Sequence, residues 1–445
     1  MQYKSTHHRR VLSVAAAVVA CLTSLAACST GGNPGSPAAN NAGNSSAAAG
    51  GGSDVSMMHY FSDAFGASAF KTIIPLCNQQ SGKSIQNSPI GQEAFKDSIL
   101  VQLAGGNPPD LFSYWAGAKT QSLVDGKRLA SLDDFYTQNK ISDVIPESLI
   151  KGAAQYGGTN YLLPFDYHYV AFFYNPSVMS KAGITTMPTT WDELLADAAK
   201  LKAAGITPFA LGSKDQWEAQ FWMDYMLLRT AGPDYRQKLM NGQAKYTDPE
   251  VKTVFTMWKD LFDKGYFNDN PNSIPYADAA DLVANGKAAM TLMGTWVTGY
   301  WDGNKIPAGT GYNMFPFPTM TPGVPRAALG PVDGWAMSAA AHNQPGAQEV
   351  LKCLAGPDAQ KAMALAEGAL APNKNADLSS QNAVMHAAAA EVQKADAFVF
   401  NYDLATPPEM SAPGLTALAQ FVNDPSTMDQ VLQQMQTAAD EAFKK

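Results

Sequence analysis

The sequence predicts an α/β protein made of more than one lobe. The chain has 445 residues, of which 46% are hydrophobic and 16% are charged, so it can bury more core than a single domain usually holds. From about residue 54 to the end, short apolar runs typical of strands alternate with amphipathic helix patterns. That alternation indicates α/β architecture.

The N-terminal segment predicts an export signal followed by a tether. Residues 1–10 are basic and polar and residues 11–27 are apolar, a pattern typical of a secretory signal and too short for a membrane span. The "LAAC" at 25–28 resembles the lipobox of bacterial lipoproteins, which implies that Cys28 is lipidated and becomes the first mature residue. The alternative is an ordinary signal peptide that contains a cysteine. Residues 29–53 are uncharged and rich in Gly, Ser, Ala and Asn, which predicts a flexible tether.

The first strands and helices of the body follow in order. Strand patterns occupy "VSMMHYF" (55–61), "SIQNSPI" (84–90) and "DLFSYW" (110–115). Helix patterns lie between them, over "SAFKTIIPLCNQQSG" and "EAFKDSILVQLAGG".

Later helices begin at capping motifs. Thr190 and Glu193 have the spacing of a capping box, and so do Thr247 and Glu250. The second of these helices carries an i, i+3, i+4 apolar stripe that ends at Gly265. "DAADLVANGKAAMTLMGTW" predicts a helix, an Asn-Gly stop and a buried strand, and the last twenty residues predict one amphipathic helix.

Charge and cysteine content narrow the class of partner. The formal net charge of −8 becomes −11 without residues 1–27, which hold three basic residues and no acidic one. Such a body repels phosphate backbones, so nucleic acid is not expected as a partner.

With Cys28 lipidated, Cys77 and Cys353 remain, and two cysteines in an exported chain could pair. Both lie in apolar helical patterns, however, and these favour free, buried thiols over a disulfide.

No familiar catalytic motif occurs in the sequence. GxSxG, HExxH, CxxC, GxxxxGK and a GxGxxG after a strand are all missing. The histidines outside the signal show no metal-ligand spacing, so neither a metal nor a cofactor is expected. Glycoside hydrolysis needs only two carboxylates, and among 39 acidic residues the sequence cannot decide whether such a pair exists.

Tryptophans occur in two kinds of setting. Trp191 and Trp258 lie inside amphipathic helices and are expected in the core. Trp115, Trp296 and Trp335 each follow a short apolar run or a glycine turn. Because ligands of α/β proteins collect at strand ends, these three rings are candidates for ligand contacts.

Several motifs together carry a family resemblance. They run in order along the chain: "LAAC" with its tether, "QLAGGNPPDLF" (102–112), "LVDGKRLASLDDF" (123–135), the long stretch 158–211 with "YNPSVMSKAGITTMPTTWDEL", "GKAAMTLMGTW" (286–296), "PVDGWAMSAAA" (331–341) and "EGALAPN" (367–373). With these motifs the chain resembles the extracellular solute-binding proteins of ABC importers, in the group that binds sugars and oligosaccharides. The resemblance covers essentially all of the mature chain.

The resemblance implies a periplasmic-binding-protein fold, with two α/β lobes joined by crossing strands and a ligand cleft between them. Lobe 1 would hold 54–163 and 276–332, and lobe 2 would hold 166–274 and 335–445. Leu162–Phe165 would finish a lobe 1 strand, and Val170–Asn175 would begin a lobe 2 strand. The segment between them would line the cleft at the hinge.

We expect the ligand-binding residues at strand ends, at the hinge and in two later loops. The candidates are Phe61, Ser62, Asp63, Glu93 or its neighbour Gln92, Trp115, Asp166, Tyr167, His168, Trp222, Trp296, Trp335, Glu367 and Asp403 with its neighbours Asn401 and Tyr402. Large rings suit the apolar faces of a sugar, and Asp, Glu, Asn and Gln suit its hydroxyl groups.

The resemblance implies a lipid-anchored, monomeric receptor outside the cell membrane that passes a neutral mono- or oligosaccharide to ABC permease subunits. An Arg cluster for an anionic ligand is missing from the expected cleft segments. Two other classes stay open: an anchored glycan hydrolase, and a non-catalytic carbohydrate adhesin or sensor. The sugar, its linkage and its length are not determined by the sequence.

Overall fold

The computed structural model describes residues 54–444. The signal segment, Cys28 and the tether lie outside these residues. The strands of the described part are β1 (Asp54–His59), β2 (Ser84–Pro89), β3 (Leu111–Trp115), β4 (Gln155–Tyr156), β5 (Thr159–Asn160), β6 (Leu163–Tyr167), β7 (Val170–Tyr174), β8 (Thr207–Ala210), β9 (Ala288–Gly294), β10 (Asn313–Phe315), β11 (Ala327–Leu329), β12 (Val332–Met337) and β13 (Ala397–Val399).

Helices connect most of these strands. They are α1 (Ala64–Ser81), α2 (Gln92–Gly105), α3 (Ala118–Asp125), α4 (Asp133–Gln138), α5 (Glu147–Leu149), α6 (Pro176–Lys181), α7 (Trp191–Ala203), α8 (Gln220–Thr230), α9 (Gly232–Met240), α10 (Pro249–Asp263), α11 (Tyr276–Ala284), α12 (Trp296–Gly303), α13 (Gln344–Leu354), α14 (Pro357–Glu367), α15 (Ala383–Gln393), α16 (Tyr402–Ala405), α17 (Pro408–Asn423) and α18 (Met428–Ala442). The alternation confirms the α/β class.

Lobe 1 is built on the sheet β2-β1-β3-β12-β6. β1 runs parallel to β2 and β3, and β12 runs antiparallel to β3 and β6. All five residues of β3 are buried, as expected for a strand covered on both faces. Helices α1, α13 and α14 pack together beside this sheet and share its core.

Lobe 2 is built on the sheet β10-β7-β9-β8 and has a hydrophobic core of its own. β7 and β9 are buried along their full length. Helices α8, α10, α17 and α18 pack in this core together with other segments of the lobe, and the buried rings of Trp222, Trp258 and Phe421 lie in it. The separate cores show two lobes within the described residues.

The chain passes between the lobes at three places. Residues 168–169 join β6 to β7, and residues 330–331 join β11 back to β12. The third passage follows α14, where Leu370 exchanges backbone hydrogen bonds with Tyr167 before the chain reaches α15. β6 and β7 lie where the sequence predicted the end of one lobe's strand and the start of the other's.

The expected division of the chain between the lobes needs two corrections. Residues 276–329 belong to lobe 2, because β9 pairs with β7 and β8 and α11 packs on β9. The segment from β12 through α14 belongs to lobe 1, because β12 inserts between β3 and β6. The resemblance had placed each of these two segments in the other lobe. Which lobe a segment joins is determined by strand pairing between residues that lie far apart in the sequence.

The capping motifs gave one correct and one wrong prediction. Thr190 and Glu193 form a complete capping box at the start of α7. At α10 the N-cap position is Asp248 and no side-chain cap is made, so the box predicted at Thr247 does not form. Pro249 begins that helix instead, and its ring presets a helical φ angle.

Cys77 and Cys353 form a disulfide bond, with Cα atoms 5.4 Å apart. This corrects the preference for free thiols, which rested on the apolar setting of each cysteine. Both helices do bury their cysteine, but α1 and α13 pack against each other and bring the two sulfurs together. Among residues 54–444, no helix is both long enough and apolar enough to cross a bilayer.

Candidate ligand-binding site

A cleft between the lobes opens at the carboxyl ends of the parallel strands of lobe 1. Tyr60 and Phe61 directly follow β1, and Trp115 ends β3. The rings of Tyr60 and Trp115 stack with centroids 4.4 Å apart, and Tyr60 also contacts Phe61 at 4.5 Å. These three rings form an aromatic wall on the lobe 1 side of the cleft.

Lobe 2 supplies a second aromatic wall around Trp296, which is separated from the end of β9 by Thr295 alone. Its ring lies 5.2 Å from His168 and 5.8 Å from Trp217, measured between centroids. The ring packs directly over Gly294, where a Cβ atom would come within 1.9 Å of it. Tyr276 stands next to Trp217 at 5.8 Å and continues this wall.

Unpaired amide groups lie between these rings. Gln220 accepts a hydrogen bond from the backbone of Asp403 through its oxygen, at 2.8 Å, and its Nε2 has no partner. The Asn401 Nδ2 donates to Asp403 at 2.7 Å, and the Asn401 Oδ1 has none. Because both side chains are buried, each free atom is a ready donor or acceptor for a ligand.

Asp403 pairs across the cleft with Lys119 of lobe 1. The Lys119 Nζ lies 2.7 Å from the Asp403 carboxylate and 4.9 Å from the centre of the Trp115 ring. Burial pushes the pKa of Asp403 upward, but the Lys119 charge and hydrogen bond outweigh burial and hold the pKa below its usual value. Asp403 is therefore an anion whose charge is already balanced.

Acidic side chains crowd the floor of the cleft. Asp63, Asp333 and Glu367 line it, and Tyr60 donates a hydrogen bond to the Asp333 carboxylate. Burial is the main cause that raises the pKa of Asp333 to about 6. Burial, then the charge of Asp63, raises the pKa of Glu367 well above its usual value.

Asp166 lies behind this floor, completely buried. It faces Asp333 across the β6–β12 pair, and the two carboxyl groups form a hydrogen bond with each other, while no further group in residues 54–444 forms a hydrogen bond with the Asp166 oxygens. Burial, then the Asp333 charge, raises the pKa of Asp166 well above normal. The His168 Nε2 is 3.6 Å away, and burial lowers the pKa of His168 to about 3, so that ring is neutral.

Asp166, His168 and Asp333 are also the residues that could hold a metal ion, since one ligand atom from each lies within 4.8 Å of the others. The cleft has a volume of about 120 Å³. It is thus a pocket for a small polar molecule with flat apolar faces.

Seven of the predicted residues line this cleft. They are Phe61, Asp63, Trp115, His168, Trp296, Glu367 and Asp403, and the predicted neighbours Gln92 and Asn401 line it as well. They come from both lobes and, with His168, from the first passage between them, which is why no single stretch of sequence contains the site.

Two predicted tryptophans belong to the cores instead. Trp335 is fully buried in lobe 1, with Phe165 at 5.7 Å and Phe70 at 6.0 Å. β12 runs from the cleft edge inward, so Trp335 lies deeper than Asp333. Trp222 is fully buried in lobe 2 against Phe209 and Phe267.

The remaining candidates lie near the cleft without lining it. Tyr167 points to the other side of the hinge, where it contacts Phe398 at 6.0 Å, because strand alternation places Asp166 and His168 on the cleft side. Glu93 is exposed and pairs with Lys96 at 2.7 Å. Ser62 is half-buried at the cleft margin, and Tyr402 is buried beside Asp403.

Several residues that line the cleft were not predicted from the sequence. Tyr60 follows the same strand as Phe61, so the strand-end signal that selected Phe61 applies to it too. Trp217 and Phe221 are four residues apart on one helical face, whereas Trp222 is turned by about 100° into the core. Further lining residues that were missed are Lys96, Lys119, Gln220, Tyr276, Pro331, Asp333 and Leu404.

Comparison with known proteins gives a family match over most of the body. The family described as bacterial extracellular solute-binding protein matches residues 61–361, more than half of the chain. An uncharacterized ABC transporter extracellular-binding protein of Pyrococcus horikoshii is 29% identical over 276 residues, or 62% of this chain. A probable sugar-binding periplasmic protein of Mesorhizobium japonicum is 26% identical over 60% of this chain. The chain spans 60% and 63% of the lengths of these two relatives.

Solved structures share the fold over nearly their whole length. The solute receptor AcbH, described as preferring β-D-galactopyranose exclusively, superposes with a TM-score of 0.81 at 24% identity and covers 88% of this chain and 99% of its own. The GacH receptor of Streptomyces glaucescens superposes with a TM-score of 0.74 at 17% identity, covering 88% and 99%. At these identities the likeness establishes the two-lobed binding-protein fold.

Proposed function

The chain belongs to the bacterial extracellular solute-binding protein family, and from that membership we propose that it is the sugar-binding receptor of an ABC importer. As a member of this family it is a receptor rather than an enzyme, and it works outside the cytoplasm. The proposal adds the ligand class, a mono- or oligosaccharide held in the cleft between the lobes, and its delivery to membrane permease subunits.

The observation that carries the proposal is the pairing of two aromatic walls with free amide groups. Trp115 and Trp296 stand on opposite lobes, and the unpartnered Gln220 Nε2 and Asn401 Oδ1 lie buried in the same cleft. A pyranose has apolar C–H faces and a rim of hydroxyl groups, so rings and amides are its complementary partners. Micromolar binding requires about −8 kcal/mol, which a few stacked rings and neutral hydrogen bonds can supply.

Charge in the cleft disfavours an anionic sugar. Lys96 and Lys119 are the cations that line it, and each is already within 2.7 Å of a carboxylate, from Glu93 and Asp403 respectively. A phosphate or carboxylate on the ligand would have to displace one of these pairs and would meet the acidic floor. We therefore expect a sugar without negative charge, as the sequence suggested.

Ligand capture is expected to close the lobes around the sugar. A ligand that contacts both lobes favours the closed arrangement by the contacts that it makes only there. Trp115 on one side and Trp296 on the other would be bridged by the same sugar ring, so neither lobe alone would bind it tightly. The relatives described as sugar-binding support this ligand class.

We further propose that the receptor is held at the membrane by a lipid on Cys28. The tether at 29–53 has about 25 residues, which gives a root-mean-square reach of roughly 25–30 Å. Such a reach keeps the body close to the permease yet free to turn. Cys28→Ala in the full chain should move the protein from the membrane fraction to the medium or the periplasm, and retention at the membrane would contradict the anchor.

A panel of sugars tests the ligand class. The purified protein is mixed with mono- and oligosaccharides of rising length, and its Trp emission, its melting temperature and the sugar itself are measured. A receptor shows quenched or shifted emission and a raised melting temperature, with the sugar unchanged. Cleaved product would favour a glycan hydrolase, and binding that continues to improve with polymer length would favour an adhesin.

A further inference from the structure

The floor of the cleft carries more negative charge than its cations can balance. Asp63, Asp333 and Glu367 all line it, and within residues 54–444 none of them forms an ion pair with a lysine or an arginine. The Lys119 charge is used by Asp403 and the Lys96 charge by Glu93. A sugar with only hydroxyl groups offers these acids no counter-charge, so Glu367 and Asp333 are neutralised only to the extent that they hold protons.

A fourth carboxyl group, that of Asp166, lies behind the acidic floor of the cleft. Asp166 is fully buried, lies opposite Asp333, and within residues 54–444 its oxygens form a hydrogen bond with the carboxyl group of Asp333 and with no other group. A buried carboxylate without a partner is strongly unfavourable in the folded protein unless it is neutralised by a proton or by a cation. The neutral His168 beside it supplies no charge. The Asp166–Asp333 pair is therefore neutralised by a shared proton, which a positively charged group on a ligand could displace.

The aromatic walls of the cleft are also suited to a positively charged group on the ligand. Trp296, Trp217 and Tyr276 line the cleft on the lobe 2 side, and Tyr60, Phe61 and Trp115 line it on the other. Aromatic faces attract ammonium groups, and carboxylates accept their hydrogen bonds in the charge-assisted form. Lys119 above the Trp115 ring is an example within the cleft itself.

We propose that the sugar selected by this cleft carries an amine, which binds as its ammonium ion to the carboxylates of Asp333 and Glu367. The inference rests on the proposed function and makes it narrower: an amino sugar in place of a neutral one. The hydroxyl groups of the sugar use the amide groups of Gln220 and Asn401, and its ring faces use the two aromatic walls.

Proton release should accompany the binding of such a ligand. Burial raises the pKa of Glu367, with Asp63 and Asp333 as its charged neighbours, and burial raises the pKa of Asp333, opposed by Tyr60 and Lys119. An ammonium ion placed between these groups lowers both pKa values and expels protons. A neutral sugar at the same place expels none.

The experiment compares amino-deoxy hexoses with their hydroxyl parents. D-glucose and D-galactose are titrated into the purified protein beside their 2-amino, 3-amino and 6-amino deoxy forms, in two buffers of different ionisation enthalpy. We expect at least one amine to bind about tenfold more tightly than its parent, which is ~1.4 kcal/mol, with a heat that depends on the buffer. The corresponding N-acetyl sugar, which has no charge, should lose that advantage.

Three results separate the two proposals. A parent sugar that binds as tightly as all its amines overturns the amino-sugar inference and leaves sugar binding intact. Failure of every sugar in the panel, and of the longer ones, overturns the proposed function as well. A divalent cation that stays with the dialysed protein at one equivalent would also overturn the inference, because it would already balance Asp166 and Asp333.

A matched pair of variants tests which carboxyl group binds the ammonium ion of the ligand. Glu367→Gln keeps the shape of the side chain and should abolish the preference for the amine, so that the amine and its parent sugar bind to this variant with similar affinity. Glu349→Gln removes an exposed acid of α13 that does not line the cleft, and it should leave the preference for the amine unchanged. If Glu367→Gln proves unstable, Asp333→Asn serves the same purpose, because Asp333 is the other proposed partner of the ammonium ion and Asn can still accept the hydrogen bond from Tyr60.

Discussion

Asp166 and Asp333 lie directly opposite each other on the antiparallel strands β6 and β12, with both carboxyl groups buried. Like charges at opposed positions of a sheet are destabilising. These two strands also lead into two of the passages between the lobes, at 168–169 and 330–331. The hinge is therefore built around two acids that cannot both be ionised without a cost in stability.

This pair should make the stability of the protein depend on pH. The folded state raises the pKa of Asp333 from 3.8 to about 6 and raises that of Asp166 as well, so the folded protein holds protons that the unfolded chain releases. The resulting stability is complete below about pH 4 and is lost as the pH rises through 6. For Asp333 alone the loss is on the order of 3 kcal/mol.

A double substitution measures this effect. Asp166→Asn with Asp333→Asn replaces both acids by amides that can hydrogen-bond to each other at every pH. Urea unfolding at pH 4 and at pH 7 should show that the wild type, measured relative to this variant, becomes less stable at the higher pH. An unchanged difference between the two proteins would mean that the pair does not titrate with folding.

Two tryptophans at similar sequence settings should behave in opposite ways. Trp296→Ala removes a partly buried ring from the cleft and should weaken sugar binding by about tenfold to a hundredfold with a small change in melting temperature. Trp335→Ala removes a fully buried ring and should cost about 3–5 kcal/mol of unfolding free energy. Calorimetric titration and urea unfolding on both variants check this contrast. A strong stability loss for Trp296→Ala would place that ring in the core.

Local signals predicted the elements better than their assembly. The capping box at Thr190, the strand over Val170–Tyr174 and the buried strand before Trp296 could all be found because propensity and periodicity act within a few residues. The lobe that receives β9 or β12 depends on strand pairing across more than a hundred residues, which periodicity does not encode. The Cys77–Cys353 disulfide was not predicted for the same reason, because its two cysteines are 276 positions apart in the sequence.

For the candidate site, too, local signals predicted some residues, and residues whose place depends on the folded arrangement were missed. Strand ends and the hinge segment led to Phe61, Trp115 and His168, because the ends of neighbouring strands must meet at one edge of a sheet. Whether a ring at such a position faces the cleft or the core depends on one residue of register. That is how Trp222 was chosen in place of Phe221.

The disulfide should contribute to stability but not to ligand affinity. It joins α1 to α13, and both helices belong to lobe 1. Cys77→Ala with Cys353→Ala should lower the unfolding free energy by about 2–5 kcal/mol and leave the sugar dissociation constant unchanged. Dithiothreitol should lower the melting temperature of the wild type and leave that of the variant as it is. A variant that melts with the wild type under oxidising conditions would contradict the contribution.

A buried ion pair should hold one wall of the cleft in place. Arg236 binds Asp224 at 2.6 Å and donates to the carbonyl oxygen of Phe400, and Asp224 accepts from the backbone of Tyr402 at 2.8 Å. This fixes the backbone on either side of Asn401, which lines the cleft.

Arg236→Met should therefore affect both folding and binding. Breaking a buried pair on one side leaves an unpaired charge and costs about 3–5 kcal/mol. Because Asp224 must then take up a proton to stay buried, the loss should be larger at pH 8 than at pH 4, and the weaker hold on Asn401 should lower sugar affinity. Arg326→Met, at an ion pair on the surface, is the matched control and should cost no more than about 1 kcal/mol. Equal losses for the two variants in urea unfolding would show that the Asp224–Arg236 pair contributes no more than a surface pair, and that the wall around Asn401 is fixed by other contacts.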